Sequence, residues 1–428
     1  MNPVHHIELP DDFPVKPLRH LFGVLGAGDD DGAKGGAKDP QVLIVGGAVR
    51  NLLLGVPVKD VDVATVFTPE IVMEKLESAG VKVIPTGVAH GTVTAVIECI
   101  SIEITTLRID IECDGRHATV AFGQDWREDA KRRDFTMNAL YMDLDGGVYD
   151  PLGTGLSAAQ QAHVCFIGDA GQRIREDALR ILRFFRFYAA YDAGEPDDAA
   201  MQACARHVTL LDGLSKERIT EEFFKILQAR RGVDAIELMF ENNVLSTVSD
   251  LFDGALLSHL DRLVLRQNTY GTFHDAARFF VLLREDVLFA ALQSDFVLPL
   301  RTIRFFDDMR ACAAAAPQTD AGWHKVHIEP YIRRMLYFYD RDVMLQTCLL
   351  QCPPDDLEAC VAMIKAADIP VFPVSGRDVI AQGIDPGPLL GALLGQVEAW
   401  WTDGGCVADR EACLARLADL IDADDEGR

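Results

Sequence analysis

The sequence predicts an α/β domain followed by an all-helical remainder. Between residues 41 and 150, short apolar strands alternate with glycine turns and helical segments. Two runs in this part, Thr92–Glu98 and Ile100–Leu107, alternate apolar and polar residues as half-buried strands do. From about Phe166 onward the strand signals end and helical periodicity continues. A chain of 428 residues with 49% hydrophobic residues can form large cores in two or three domains.

The individual elements can be placed in order along the chain. Residues 1–40 predict a short helix over Leu18–Leu25 and then a mobile Gly/Asp/Lys-rich connection. An apolar strand, Val42–Val45, turns through two glycines into a helix, and Val58–Ala64 predicts a further strand. The helical remainder contains four clear runs: Glu176–Ala190, Lys216–Arg230, Leu256–Arg266 and Asp409–Ile421.

Composition restricts the classes of function. The formal net charge of −25 argues against a generally basic nucleic-acid-binding protein, because affinity for a phosphate backbone comes largely from Lys and Arg. Basic residues are nevertheless concentrated at 131–133 and 173–186, which is compatible with a local basic groove. The chain has no apolar run of about 18 residues, no signal-peptide pattern at its start, and no cysteine spacing typical of zinc sites. We therefore expect a cytoplasmic protein with reduced thiols and no membrane partner.

The glycine turn is the first candidate for binding an anion. Gly46 and Gly47 join a buried strand to a helix, and glycine lets a phosphate approach the backbone closely. Arg50 could add a charge-assisted hydrogen bond. For an isolated Gly-Gly pair, an ordinary tight turn is the commoner interpretation.

A pair of carboxylates is the strongest single signal. Asp60 and Asp62 lie two residues apart on the predicted strand, so they share a face and are separated by about 6 to 7 Å. Holding two like charges there is costly without a cation, and Mg²⁺ is commonly bound by one or two carboxylates plus substrate phosphates. A solvated edge strand is the alternative. Glu103 shows the same alternation and is either a third carboxylate or a structural partner for Arg50; the sequence leaves both open.

Two later segments carry further candidates. In the first segment, Arg132–Asn138, Arg133 could bind a phosphate, and Asp134 and Asn138 could bind ribose hydroxyls. A surface salt-bridge cluster would show the same sequence pattern. The second presents a stripe of polar residues along a predicted helix: Asp177, Arg180, Arg183 and Arg186. Its first two members could read a base edge and its last two could bind phosphates, whereas an intrahelical ion pair between the first two is the alternative.

Four motifs in this order resemble one known family: GGAVRN, KDVDVAT, RRDFTMN and REDALRILRFFRF. They closely resemble the class II tRNA nucleotidyltransferases and bacterial poly(A) polymerases over about residues 41–235. The resemblance implies a polymerase-beta-like nucleotidyltransferase head with a mixed sheet, followed by an all-α neck and body. The implied domains are an N-terminal extension and linker over 1–40 and the catalytic head over 41–165. A helical neck with the nucleotide-selecting motif over 166–235 and an RNA-binding body over 236–428 follow.

The resemblance also implies roles for single residues. Asp60 and Asp62 would bind two catalytic Mg²⁺ ions. The triphosphate would bind at Gly46, Gly47 and Arg50, while Arg133 would contact the nucleotide with Asp134 and Asn138 on the ribose side. Asp177 and Arg180 would read the Watson–Crick edge of CTP or ATP, and Arg183 and Arg186 would complete the pocket.

One departure from the family pattern and two further matching segments can be named. Asn51 stands where the family usually has Asp, so we assign it no catalytic role. Ile109–Asp129 would be the family's flexible loop, and Ser215–Leu227 resembles its later helical motif, a scaffold element. The C-terminal third carries no His-Asp signature of an appended phosphohydrolase.

The implied reaction is template-independent addition of C, C and A to the 3′ end of tRNA. An RNA 3′ hydroxyl would attack the nucleotide α-phosphate in line, with two metal ions stabilising the attacking and leaving oxygens, and pyrophosphate would leave. The alternative within the family is a poly(A) polymerase, or an enzyme that adds only CC or only A. Bacterial poly(A) polymerases typically carry a Gly-Arg-Arg-Phe segment that residues 86–94 lack. A catalytically silent RNA-binding protein is the alternative from a different class, and the sequence carries no signal of the oligomeric state.

Overall fold

The computed structural model describes five stretches of the chain: 1–26, 39–114, 117–191, 194–317 and 320–426. The chain divides into two compact units, Met1–Asp250 and Leu251–Arg428. The first contains a mixed sheet with helices and then a helical segment, whereas the second is helical. Within the described stretches, no strand follows Tyr149. The predicted fold class, an α/β head followed by helices, is confirmed.

An eight-stranded sheet forms the centre of the first unit, in the order β1-β10-β9-β2-β3-β6-β5-β4, and β7 and β8 pair separately as an antiparallel hairpin. The only parallel pair in the eight-stranded sheet, as described, is β3 with β6. The strands are β1 (His5–His6), β2 (Val42–Val45), β3 (Asp62–Thr65), β4 (Lys82–Gly87), β5 (Thr92–Ile97), β6 (Ile100–Thr106), β7 (Arg108–Asp114), β8 (His117–Phe122), β9 (Tyr141–Met142) and β10 (Gly147–Tyr149).

The helices of the first unit surround this sheet or follow it. Those that come before residue 165 are α1 (Val15–Gly26), α2 (Gly47–Leu53), α3 (Pro69–Ser78), α4 (Trp126–Lys131) and α5 (Gly155–Gln160). Those that follow are α6 (Ala170–Glu176), α7 (Arg180–Tyr191), α8 (Asp198–Arg206), α9 (Lys216–Gln228), α10 (Gly232–Glu241) and α11 (Val244–Val248). The predicted helix over Leu18–Leu25 is therefore confirmed, whereas most of the connection predicted after it, residues 27–38, lies outside the described residues.

The sheet core lies under β2, a strand of four apolar residues that are all buried. Because successive side chains point to opposite faces and all four are buried, both faces of β2 are covered, which explains why it is continuously apolar rather than alternating. Beside it, the rings of Trp126 and Tyr141 meet edge to face with centroids 5.0 Å apart, and both residues are almost fully buried.

The strand predicted over Val58–Ala64 is shorter than expected and begins only at Asp62. Its neighbour β2 ends at Val45, which pairs with Asp62, because the chain then turns at Gly46. The residues before Asp62 consequently have no antiparallel partner. The position of Asp60 is thus set by the connection that enters β3 and not by the sheet itself.

The flexible loop expected over Ile109–Asp129 is replaced by regular structure. The chain forms the β7–β8 hairpin and then enters α4, with residues 115 and 116 outside the described part. Apolar and polar residues alternate along β7 and the first four residues of β8, but the Asp/Glu/Gly-rich composition of the segment outweighed this pattern in the prediction.

The second unit consists of helices around aromatic and aliphatic cores. They are α12 (Leu257–Tyr270), α13 (Asp275–Phe280), α14 (Leu300–Ala315), α15 (Asp320–Trp323), α16 (Lys325–Phe338), α17 (Arg341–Gln351), α18 (Pro354–Ala366), α19 (Gly376–Ala381), α20 (Pro388–Asp403) and α21 (Arg410–Glu426). The rings of Phe252, Phe279 and Phe296 pack with centroids 5.0 to 5.6 Å apart. Among the helices that the structure describes, none is both long enough and apolar enough to cross a membrane.

Candidate active site

The predicted glycine turn is present and lies against the later arginine motif. Gly46 has φ 69°, in the left-handed region that favours glycine, and its backbone N–H donates to the Leu140 carbonyl at 3.0 Å. A Cβ at Gly46 would lie 3.6 Å from Nη1 of Arg133. The turn therefore brings the start of α2 next to Arg133.

Three carboxylates come together at one end of β3. Asp60 and Asp62 are exposed while Val61 and Val63 are buried, so the predicted division of the two faces is confirmed. Asp62 pairs with Glu103 across the parallel β3–β6 ladder. The candidate ligands therefore lie at the exposed start of β3, an interior strand of the sheet, next to the glycine turn.

The electrostatics of Asp62 reflect this crowding. Its pKa is raised to about 6, first because surrounding atoms partly exclude water from the carboxylate and then because Glu103 and Asp60 are negative; Arg133 acts in the opposite direction. Excess negative charge of this kind suits a cation. In the described part of the chain, however, no three His, Cys, Asp or Glu side chains are close enough to hold a metal ion by themselves. Two carboxylates completed by substrate phosphates are the arrangement that Mg²⁺ commonly uses.

Arg133 is held by a buried carboxylate that sequence reasoning did not identify. Asp129, on α4, is 1% exposed and accepts hydrogen bonds from Arg132 through Oδ1 and from Arg133 and Tyr141 through Oδ2. Burial alone would raise the pKa of Asp129, but Arg133, Arg132 and the Tyr141 hydroxyl overcome this effect and lower it to about 2. Arg133 is thus fixed on the side of the glycine turn.

Asp134 and Asn138 form a buried polar pair rather than a surface cluster. Both residues are less than 9% exposed. Asn138 Nδ2 donates to Asp134 Oδ1 at 3.0 Å, and the backbone N–H of Phe135 donates to the same oxygen at 2.9 Å. The other oxygen, Oδ2, accepts from Nε of Arg183 at 2.8 Å. Both oxygens of Asp134 are therefore occupied within the protein.

Arg50 is buried among neutral partners. It is 6% exposed and donates to Asn138 Oδ1 at 2.5 Å, twice to Asn51 Oδ1 at 3.2 and 2.9 Å, and to the Tyr191 hydroxyl. Burial lowers the pKa of the guanidinium to about 10. The structural pairing considered between Arg50 and Glu103 is therefore wrong, because the partners of Arg50 lie elsewhere. Asn51, to which we had assigned no catalytic role, orients the guanidinium.

The prediction of one continuous helix over Glu176–Ala190 is wrong, because the helix is interrupted at Asp177. This residue is extended, with φ −152° and ψ 106°, and its Oδ1 accepts from the Leu179 N–H at 3.1 Å. A short Asp side chain that bonds its own backbone two residues on favours such a turn over a helix. The carboxylate consequently lies at the junction of α6 and α7.

The ion pair considered between Asp177 and Arg180 is also absent. Arg180 Nη1 donates to Glu176 Oε2 at 2.8 Å, and Asp177 Oδ2 accepts from Arg218 Nη2 at 2.8 Å. Arg218 belongs to α9, within the segment expected to be a scaffold. The scaffold helix thus fixes the side chain of Asp177 directly.

The last two arginines of the motif also have carboxylate partners. Arg183 pairs with Asp134, as described above, and Arg186 Nη1 donates to Glu222 Oε1 at 3.2 Å. Glu222 is 4% exposed and also belongs to α9. Arg186 additionally lies over the ring of Phe187, 4.5 Å from its centroid. Both guanidinium groups are thereby oriented before any ligand binds.

Four of the predicted residues form one hydrogen-bonded chain in the first unit: Arg50 donates to Asn138, Asn138 donates to Asp134, and Asp134 accepts from Arg183. Arg133 lies beside Gly46 at the glycine turn. Asp177, Arg180 and Arg186 lie on the adjoining helices but bond to other residues. The partners that sequence reasoning missed are Asp129, Tyr141, Glu176, Tyr191, Arg218 and Glu222. The position of Asp129, three and four residues before two arginines, could have indicated their ion pairs. Tyr191 lies 141 positions from Arg50, and no sequence pattern indicated their contact.

Two family models match this part of the chain. Residues 42–165 match the model described as "Poly A polymerase head domain", and residues 195–251 match "Probable RNA and SrmB- binding site of polymerase A". Fold, site and these matches define the class: the protein is a nucleotidyltransferase.

Comparison with individual proteins narrows the class to one family. The chain is 33% identical over 385 residues to CCA tRNA nucleotidyltransferase 1, mitochondrial, of Homo sapiens, covering 88% of this chain and 86% of the human protein. It is 33% identical over 393 residues to the CCA-adding enzyme of Streptococcus sanguinis, covering 88% and 93%. The chain belongs to the CCA tRNA nucleotidyltransferase family.

A solved structure supports the same assignment. The CCA-adding enzyme of Bacillus stearothermophilus in complex with CTP superposes with a TM-score of 0.67 at 25% sequence identity. The match covers 96% of this chain and all of the bacterial chain.

Proposed function

We propose that this chain adds C, C and A in turn to the 3′ end of tRNA, using CTP and ATP and no nucleic-acid template. The observation that carries the proposal is its similarity, over 88% of its length, to proteins named for this activity. The RNA 3′ hydroxyl attacks the α-phosphate of the bound nucleotide in line, and pyrophosphate leaves.

The carboxylates at the end of β3 provide the metal site of this proposal. Asp60 and Asp62 are the ligands, and their crowded negative charge fits a divalent cation whose coordination the substrate phosphates complete. Bound Mg²⁺ would stabilise charge on the attacking and leaving oxygens. We assign Glu103 no ligand role; its contribution is to raise the pKa of Asp62 and so to strengthen the demand for a cation.

The groups around the glycine turn bind the nucleotide. Gly46 and Gly47 allow close approach of the triphosphate, and Arg133 and Arg50 supply positive charge beside it. Because Arg50 is buried with neutral hydrogen-bond partners, an anion there would gain a strong interaction.

The buried pair Asp134 and Asn138 provides the contact to the ribose. Since both oxygens of Asp134 already accept hydrogen bonds, this residue orients Asn138 and Arg183 toward the sugar rather than contacting it alone.

Base choice follows from the donor and acceptor pattern of the motif after the head. A carboxylate at Asp177 accepts from the exocyclic amino group of cytosine or adenine, and the guanidinium of Arg180 donates to the neighbouring ring nitrogen. Uracil presents an acceptor and a donor at these places, so it is rejected. Arg183 and Arg186 complete the pocket, and their carboxylate partners fix them before the nucleotide arrives.

We assign the domains as proposed from the sequence: the extension and linker over 1–40, the head over 41–165, the neck over 166–235, and an RNA-binding body over 236–428. The partner is the 3′ end of tRNA. We propose the cytoplasm as the compartment; nine of the ten cysteines are free thiols, which suits a reducing environment.

One incubation tests the proposal. The protein is mixed with Mg²⁺, labelled CTP or ATP, and tRNA that lacks its 3′ CCA. Addition of two C and one A that then stops is expected. Long ATP-only extension of unrelated RNA would identify a poly(A) polymerase instead, and CC-only or A-only addition would identify a partial enzyme. No incorporation would overturn every enzyme assignment and leave a catalytically silent RNA-binding protein as the alternative.

A further inference from the structure

Asp129 lies outside every motif that suggested the function, yet it accepts more side-chain hydrogen bonds than a carboxylate at the surface normally would. Its two oxygens accept five, at 2.6 to 3.2 Å, from Arg132, Arg133 and Tyr141. It is 1% exposed, so its charge is stabilised by these donors and not by water. A carboxylate so completely paired fixes whatever it holds.

The two oxygens of Asp129 serve different partners. Oδ1 accepts from Nε and Nη2 of Arg132, at 2.8 and 2.6 Å. Oδ2 accepts from Nε and Nη2 of Arg133, at 3.2 and 2.9 Å, and from the Tyr141 hydroxyl at 2.7 Å. Arg133 thus donates through both nitrogens of its Nε–Nη2 edge to the single oxygen Oδ2, and two donors on one acceptor leave a planar guanidinium little freedom to rotate.

The remaining atom of Arg133 points to the nucleotide site. Nη1 lies 3.6 Å from the position that a Cβ on Gly46 would occupy, and the guanidinium lies 5.4 Å from the centroid of the Tyr141 ring. The edge fixed by Asp129 thus determines where Nη1 of Arg133 lies at the glycine turn.

We propose that Asp129 is a positioning residue for nucleotide binding: it acts through Oδ2 to hold Arg133 at the triphosphate site, without touching the substrate. The inference rests on the proposed function, in which Arg133 contacts the nucleotide. The two oxygens of Asp129 have separate roles. Oδ1, which accepts from Arg132, stabilises the fold locally, and Oδ2, which accepts from Arg133, positions that guanidinium for the substrate.

Equilibrium dialysis of labelled CTP against the full chain tests this division. Asp129→Asn leaves one accepting oxygen for two guanidinium groups and turns an amide N–H₂ toward the other, so we expect the Kd for CTP to rise about tenfold or more. Tyr141→Phe removes one donor from Oδ2 and should raise the Kd about threefold. Arg132→Met is the matched control, since it removes the two side-chain donors to Oδ1, keeps the donors to Oδ2 and should leave the Kd unchanged. Asp129→Glu keeps the charge and should recover part of the affinity.

The outcomes separate this inference from the proposed function. Circular dichroism melts identify any variant that fails to fold, and if Asp129→Asn does, the Tyr141→Phe and Arg132→Met pair decides the question. Equal Kd values for that pair, or wild-type affinity in folded Asp129→Asn, would overturn the positioning role while leaving CCA addition by the wild type intact. A wild-type chain that binds no CTP would overturn both.

Discussion

Replacing Asp177 should relax the choice of nucleotide more than it slows the reaction. Its carboxylate is held at both oxygens, by the Leu179 N–H at 3.1 Å and by Arg218 at 2.8 Å, so it presents a fixed acceptor. Good hydrogen-bond readout of a base contributes about 1 to 3 kcal/mol of discrimination. Asp177→Ala should therefore reduce the preference for CTP over UTP by about 10- to 100-fold.

Arg218→Met should produce a weaker form of the same defect. The carboxylate remains but loses one of its two anchors, and we expect about a tenfold loss of discrimination or less. Both partners are partly exposed, 41% for the Arg218 side chain and 29% for Asp177, so loss of the ion pair should cost less than about 1 kcal/mol of folding free energy. A change in selectivity cannot then be attributed to unfolding.

The assay is steady-state incorporation into tRNA that ends before the CCA, with kcat/KM measured separately for CTP and UTP. Lys216→Met, at the exposed start of the same helix, is the control and should keep the wild-type ratio. An unchanged ratio in Asp177→Ala would refute the reasoning, and a normal ratio in Arg218→Met alone would refute only the anchoring role of α9.

Three further predictions concern the carboxylates of the head. Asp60→Ala should abolish incorporation while tRNA binding in a filter assay stays near wild type; near-normal turnover would refute the metal assignment. Because the pKa of Asp62 is raised to about 6, protons should compete with Mg²⁺, so the half-saturating Mg²⁺ concentration should rise about tenfold from pH 7 to pH 5, and a flat profile would count against this competition. The depressed pKa of Asp129, about 2, should contribute roughly 2 kcal/mol to the free energy of unfolding above pH 4, lost as the pH falls toward 2. Denaturant titrations should then show wild type and Asp129→Asn converging at low pH, and a constant difference would contradict that contribution.

Local patterns predicted the framework of the head. Four consecutive apolar residues predicted the buried strand β2, and alternation predicted β5 and β6 to within about a residue. The same alternation predicted that Val61 and Val63 are buried while the two aspartates are exposed, since this depends only on neighbours in the chain.

Elements that depend on a partner were predicted less well. The start of β3 is set by the end of β2, which a window around Asp60 does not contain. The break at Asp177 depends on its side chain bonding the Leu179 N–H, which competes with a helical pattern that is otherwise continuous.

The candidate residues could be read from the sequence, but most of their partners could not. Asp129 was accessible, because it lies three and four positions before its arginines. Arg218 and Glu222 lie more than 30 positions from the residues they hold, and nothing local in the sequence distinguishes them from the other charged residues of their helix. Local sequence patterns therefore identify the residues of the site but not the partners that orient them.

The most direct test of the account is the mass of the tRNA product. A tRNA ending before the CCA is incubated with the protein, Mg²⁺, CTP and ATP, and the intact product is analysed by mass spectrometry. The account predicts a gain of two cytidylates and one adenylate and no further addition on longer incubation. A product with no added nucleotide, or with a heterogeneous adenylate tail, would contradict it.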